Sequence, residues 1–263
     1  MSRRRDTEVA IRCTDLSVTR TGAWGGAANR VVDGVDFTLE HARTLAVLGP
    51  TGSGKSSLAA VLAGSDEAGL AVIGGGAWVE GIPVRRAGRA HRALTYHVGY
   101  LAQGSGASLA NRLTVDEIVG SPVTSRDRRV NKRALAMRTA HLLDELKLPL
   151  GTATKFPYEL SAGMRQRVAL ARALMLDPKV LIADDLVANL DVEARGAVLG
   201  AVQRRRTGYG MSTLLVGNDK DAVSALGADV IVLRSGHVVA AGRSLDAIVW
   251  SPGAGADRRL LAS

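Results

Sequence analysis

The chain has one cysteine, Cys13, in 263 residues, so no intrachain disulfide can form. Its five histidines show no ligand-like spacing with that thiol, which argues against a structural metal. Aromatic residues make up only 3% of the chain, too few to give its arginines the stacking platforms of a nucleic-acid reader. No apolar run approaches the length needed to cross a bilayer. The start, Met1-Ser2-Arg3-Arg4-Arg5-Asp6, is basic but lacks the apolar stretch of a signal peptide, so a cytosolic location is expected. Internal repeats, heptads and long linkers are also missing.

What is present describes an ordinary globular protein. Hydrophobic residues account for 46% and charged residues for 22%, and the length suffices for one large α/β domain with a smaller lobe. The net charge is +9 and the isoelectric point about 10.3. The basic residues are scattered over Arg85-Arg86, residues 126–133 and Arg204-Arg205-Arg206. That distribution reads as a solvated basic surface, equally suited to the inner face of a membrane carrying anionic lipids.

Hydrophobic patterning predicts strands over residues 9–18 and 31–39, separated by the loop Thr21-Gly22-Ala23-Trp24-Gly25-Gly26. Gly74-Gly75-Gly76 leads into another short strand, and this region reads as the antiparallel edge of a mixed sheet. A strand Val98-Gly99-Tyr100-Leu101 ends near Gln103. Residues 114–119 predict a short helix, Ser121-Pro122 a break, and residues 131–148 a longer helix. This block, about residues 104–158, reads as a helical lobe inserted in the core. Beyond it, helices capped by Ser161 and Asp191, the second running through Gln203, alternate with strands over 179–184 and 213–217. Residues 230–241 predict a terminal hairpin around Ser235-Gly236. Strands and helices in this order imply a largely parallel sheet covered on both faces.

The chemistry centres on Gly49-Pro50-Thr51-Gly52-Ser53-Gly54-Lys55-Ser56, set between the apolar run Leu45-Ala46-Val47-Leu48 and the helix start Ser57-Leu58. Glycines let the backbone wrap a polyphosphate with its N–H groups inward, and the helix N-terminus adds a positive dipole end. Lys55 is placed to reach the β- and γ-phosphates, and the Ser56 hydroxyl to hold Mg²⁺. The strand Val180-Leu181-Ile182-Ala183 ends in Asp184, a second Mg²⁺ group, followed by Asp185, which could orient or deprotonate an attacking water. Leu160-Ser161-Ala162-Gly163-Met164-Arg165-Gln166-Arg167 makes another capped helix start able to face an anion.

Together these stretches resemble the ATP-binding cassette (ABC) proteins, whose usual signature is LSGGQ, here with Ala162 for the first glycine. The resemblance places Gln103 at the Q-loop, Ala188-Asn189-Leu190-Asp191 at the D-loop and Gly217-Asn218-Asp219 at the switch loop. Within that superfamily the chain looks similar to the ATPase subunits of peptide, nickel and opine importers, on residues 108–115, 156–167 and the closing Arg258-Arg259-Leu260-Leu261-Ala262. The iron–sulfur cysteine cluster of some of those subunits is missing.

The resemblance implies an ABC-type α/β core with a mixed, largely parallel sheet, forming one nucleotide-binding domain over 1–263. ATP would be held by residues 49–57, that is Gly49, Pro50, Thr51, Gly52, Ser53, Gly54, Lys55, Ser56 and Ser57, with Arg20 at the base-stacking position. Ser161, Ala162, Gly163, Met164 and Asp191 would contribute across a subunit interface. Mg²⁺ would lie among Ser56, Gln103 and Asp184, and catalysis would fall to Asp185, Asn218 and Gln103.

Beyond Ala162, Arg20 stands where an aromatic usually stacks on adenine, a milder departure because a guanidinium plane can also stack on a base. Three departures fall on the hydrolytic groups: Asp185 where glutamate is usual, Asn218 where histidine is usual, and no proline in Asp185-Leu186-Val187-Ala188. They imply a sound ATP grip with impaired hydrolysis, in a heterodimer with a catalytic partner. Two transmembrane permeases and a solute-binding protein complete the expected assembly, at the cytoplasmic face of the membrane and without nucleic acid. An exporter, a lipid-handling ATPase or a soluble cassette acting on nucleic acid is the alternative.

Overall fold

The structure is a computed structural model that describes residues 9–22, 27–85, 88–127 and 129–251. The basic start, Trp24-Gly25-Gly26 and the closing Arg258–Ala262 run lie outside the described residues. The chain begins with β1 (Val9–Arg20), β2 (Asn29–Glu40) and β3 (Thr44–Leu48), then α1 (Lys55–Leu62), β4 (Leu70–Val79), β5 (Ile82–Pro83) and α2 (Arg89–His97). Next come β6 (Val98–Leu101), α3 (Val115–Thr124), α4 (Lys132–Glu145) and α5 (Ala162–Leu174). The remainder is β7 (Val180–Asp184), α6 (Val192–Tyr209), β8 (Ser212–Val216), α7 (Lys220–Ala225), β9 (Asp229–Arg234), β10 (His237–Gly242) and β11 (Val249–Trp250).

The strands form two sheets. One is antiparallel, in the order β2-β1-β4-β5, and the other is seven-stranded, in the order β11-β10-β9-β3-β8-β7-β6. β3, β6, β7, β8 and β9 run parallel, while β10 and β11 add an antiparallel edge. The antiparallel strand expected near Gly74–Gly76 is present, but it lies inside a separate antiparallel sheet and not at the edge of the mixed one, whose antiparallel edge is β10 and β11.

β3, β7 and β8 are buried along their whole length, as strands covered on both faces must be. Alternate side chains on β3 and β7 serve two cores. Leu45, Val47, Val180 and Ile182 pack toward α1 and the antiparallel sheet; Ala46, Leu48, Leu181 and Ala183 pack toward the helices after β6.

Four local differences from the pattern-based expectation have physical reasons. Pro122 does not break the chain but sits inside α3. Its ring removes a donor to the Ile118 carbonyl, and the Ser121 hydroxyl donates to that carbonyl instead, at 2.8 Å. α6 continues past Gln203 to Tyr209, where Gly210 caps it with φ +69°. α2 was not expected, because the apolar stripe of Arg-Ala-His-Arg-Ala-Leu-Thr-Tyr-His is short, only Ala90, Ala93 and Leu94, and buries only Leu94. β11 is two residues long, below the length at which alternation is visible.

Candidate functional site

The loop after β3 is held by close backbone approaches. A Cβ at Gly49, where φ is +143°, would lie 2.0 Å from the Leu233 carbonyl oxygen; one at Gly54, where φ is +101°, would lie 2.0 Å from that of Val31. Glycine is the residue both places accept. Lys55 folds back into the loop, its Nζ donating to the carbonyls of Gly49 (2.8 Å) and Pro50 (2.9 Å). Gly54 offers α1 no side-chain cap, so the first-turn N–H groups are left to whatever anion the loop takes.

β7 runs beside β3's neighbour β8 and delivers Asp184 to the mouth of this loop. Asp184 is buried beside the Ser56 hydroxyl, and one of its carboxylate oxygens, Oδ2, has no hydrogen-bond partner. Burial pushes its carboxyl above the ordinary range, and the neighbouring Asp185 charge pushes the same way against Ser56 and Lys55. Lys55 is lowered by burial, partly offset by both aspartates.

Asp185 occupies a left-handed conformation, φ +56°. Its N–H donates to the Val216 carbonyl (2.8 Å), its carbonyl accepts from Gln166 Nε2 (3.2 Å), and its Oδ2 accepts from Gln103 Nε2 (3.2 Å). Gly217 is packed against it so closely that a Cβ there would lie 2.7 Å from Oδ1. Asn218 accepts the Gly49 N–H on its Oδ1 at 3.1 Å, which joins the switch position to the first residue of the loop.

Arg20, Thr51, Gly52, Gly54, Lys55, Ser56, Ser57, Gln103, Asp184, Asp185 and Asn218 line one cavity of about 390 Å³. Pro50 and Ser53 lie in the loop's frame, Ser53 being buried. The Arg20 guanidinium donates to Ser57 Oγ (3.1 Å) and pairs with Glu67 (2.6 Å). Ser161, Ala162, Gly163 and Met164 do not line that cavity. Ser161 caps α5 through the Met164 N–H, Ala162 borders a neighbouring cleft with Gln103, Gln166 and Asn189, and Asp191 caps α6 through Ala194. Two contributors went unread in the sequence. Val31 lines the cavity from β2 without any motif, and Gln166 reaches Asp185 only because α5 packs at the end of β7.

Residues 32–188 match the protein family described as ABC transporter. The chain belongs to that family. The oligopeptide transport ATP-binding protein OppD of Mycobacterium tuberculosis is 34% identical over 270 residues, covering 97% of this chain and 42% of the relative. A putative peptide import ATP-binding protein of Brucella abortus is 32% identical over 238 residues, covering 90% of this chain and 69% of the relative. The glutathione import ATP-binding protein GsiA of Shigella flexneri is 32% identical over 265 residues, covering 98% and 41%. The chain thus spans about two-fifths of the length of OppD and GsiA. Among solved structures, the dimeric ATP-binding cassette MJ0796 bound to ADP and Pi superposes with a TM-score of 0.76 at 22% identity, over 87% of this chain and 96% of that one. The ABC transporter component cbiO1 of Clostridium perfringens gives 0.72 at 21%, over 90% and 89%. The fold is that of an ABC cassette, and the loop, strand end and switch segment described above lie within it. No helix among the described residues is long and apolar enough to cross a membrane.

Proposed function

We propose that this ABC cassette is the ATP-binding subunit of an importer for peptides or related small solutes, including metal chelates, and that its own ATP site hydrolyses slowly. The observation that carries the importer reading is identity of 32–34% over at least 90% of the chain with proteins described as oligopeptide transport, peptide import or glutathione import ATP-binding proteins. The energy-coupling work would be shared with two membrane permeases, a solute-binding protein and a second cassette, at the cytoplasmic face of the membrane. The run of helices within residues 104–158 would be the lobe that meets the permeases.

ATP would lie along the loop, its phosphates against the N–H groups of residues 49–57 and Lys55 Nζ, with Arg20 beside the base. Mg²⁺ suits the residues present: the unpartnered Oδ2 of Asp184 is a buried anionic oxygen, next to the Ser56 hydroxyl and the Gln103 side chain. Bound there, the ion would neutralise charge on the β- and γ-phosphates.

Three observations support slow hydrolysis. Asp185 is shorter than glutamate by about one bond, and a misplacement of about 1 Å can lower a rate about 10²-fold. Its carboxylate is already engaged by Gln103. Asn218 can donate its amide to a γ-phosphate but cannot become cationic. Ser161 and Gly163, which stay outside the chain's own cavity, would instead complete the site of a catalytic partner subunit.

Uptake of labelled oligopeptides by host cells with and without this chain tests the importer reading. Loss of uptake on deletion, restored by the wild-type chain and not by Lys55→Ala, is the expected result. Unchanged uptake of peptides and glutathione would overturn it.

A further inference from the structure

Some surface arginines of this chain have carboxylate partners, such as Arg20 with Glu67, Arg30 with Asp33, Arg43 with Asp229 and Arg195 with Asp219, while others, among them Arg172, Arg204 and Arg243, are exposed at scattered positions. One region gathers several arginines without such a partner. Arg85 lies before α2, Arg89 and Arg92 on it, and Arg126 and Arg129 in the connection from α3 to α4; all five are exposed. None forms an ion pair with a carboxylate among the described residues. The only acidic residue in either segment, Asp127, is occupied by the backbone N–H of Arg129, at 2.8 Å.

The two segments are distant in sequence and adjacent in space. Arg126 Nη2 donates to the carbonyl (2.9 Å) and hydroxyl (3.1 Å) of Thr95, 31 positions away. The Thr95 hydroxyl in turn reaches the Arg92 carbonyl at 3.3 Å, one helical turn back. Arg89 and Arg92 share a face of α2 at i, i+3 spacing, and Arg85 borders one surface cleft with Gly88, His91 and the exposed Asp66, whose Oδ1 lies 3.7 Å from His91 Nε2. The result is a predominantly cationic band with one carboxylate at its Arg85 end, and the ring of Tyr96, 51% exposed, is on the same helix.

We propose that this band docks on the surface of a bilayer containing anionic phospholipids. A gathering of exposed arginines attracts phosphate groups, and a lipid surface supplies these without demanding a fixed spacing. A lone tyrosine ring suits the headgroup level of a membrane, whereas single-stranded nucleic acid calls for several rings in succession. An ABC transporter cassette works beside a membrane, so the surface is at hand. The identity of the transported solute plays no part in this inference.

The test is co-sedimentation of the purified full chain with phosphatidylcholine vesicles, with and without phosphatidylglycerol, across a salt series. The wild type is expected to bind only the anionic vesicles and to release as salt rises. Each removed cation should weaken binding about five-fold, so Arg85→Gln/Arg89→Gln/Arg92→Gln should lose about a hundred-fold. The triple variant Arg172→Gln/Arg204→Gln/Arg243→Gln, with the same change in net charge elsewhere on the surface, should stay near wild type. Equal loss in both triples would overturn the proposal, as would equal binding to neutral vesicles. So would displacement of the chain from anionic vesicles by a short RNA at matched phosphate concentration.

Discussion

Asp184 is unfavourable to the free fold, and the Mg²⁺ proposed to bind there would offset its buried charge. Burial raises its carboxyl above the ordinary value, so the fold favours the neutral form more than the unfolded chain does. The stability it contributes is full below its unfolded value, about 4, and is lost as pH rises through the raised folded value. At neutral pH the buried charge therefore destabilises the nucleotide-free protein. Asp184→Asn is expected to raise the thermal unfolding midpoint without ligand at pH 7, and to abolish the further rise that Mg²⁺ adds to ATP. A lower midpoint for the nucleotide-free variant would contradict this assignment of the strain. The loop residues and Asp184 could be recognised in the sequence because each motif is contiguous, so spacing alone carries the chemistry. Gln166 could not, because its bond to Asp185 depends on where α5 lies against β7, and Val31 could not, because a single valine on a strand signals only burial.

Among the elements, the helices after β6 are tied to the core by charge as well as by apolar packing. Arg205 on α6 is buried, and its guanidinium donates to both oxygens of Glu145 on α4 (3.2 and 2.6 Å) and to Asp177 before β7 (3.0 Å). Asp177 also pairs with Arg138 of α4. The Glu145 side chain is only 11% exposed, so Arg205→Met leaves it uncompensated, at a cost of about 3–5 kcal/mol. A lower urea midpoint measures that loss. Arg205→Met combined with Glu145→Leu should recover most of it, and a double variant no better than the single would contradict the pairing. None of this was visible in the run Arg204-Arg205-Arg206, where the sequence offers three equivalent cations and only the fold selects the buried one. The helix starts at Ser161 and Asp191, by contrast, were legible as caps, and they cap α5 and α6; the structure adds a reciprocal Thr114–Glu117 cap on α3. The expected break at Pro122 failed because its neighbour Ser121 replaces the missing donor.

At the scale of the whole molecule, the parallel strands bring the loop, Gln103, Asp184, Asp185 and Asn218 to one cavity and leave Ser161 and Gly163 facing elsewhere. The alternation of strands and helices that implied this layout was legible because β3, β7 and β8 are continuous apolar runs. The separate antiparallel sheet was harder to read, because β1 and β2 carry several register shifts that interrupt strict alternation. Under the proposed function this cassette would pair with another, hold one ATP with slow chemistry and lend its α5 start to the other. The central claim is that Asp185 limits hydrolysis at the chain's own loop while binding is sound. It is tested most directly by single-turnover cleavage of ATP at that loop in the assembled pair, with the opposite site's catalytic carboxylate removed, comparing wild type with Asp185→Glu. The expected result is a rate increase of about 10²-fold at unchanged ATP affinity; an unchanged or lower rate in Asp185→Glu would contradict it.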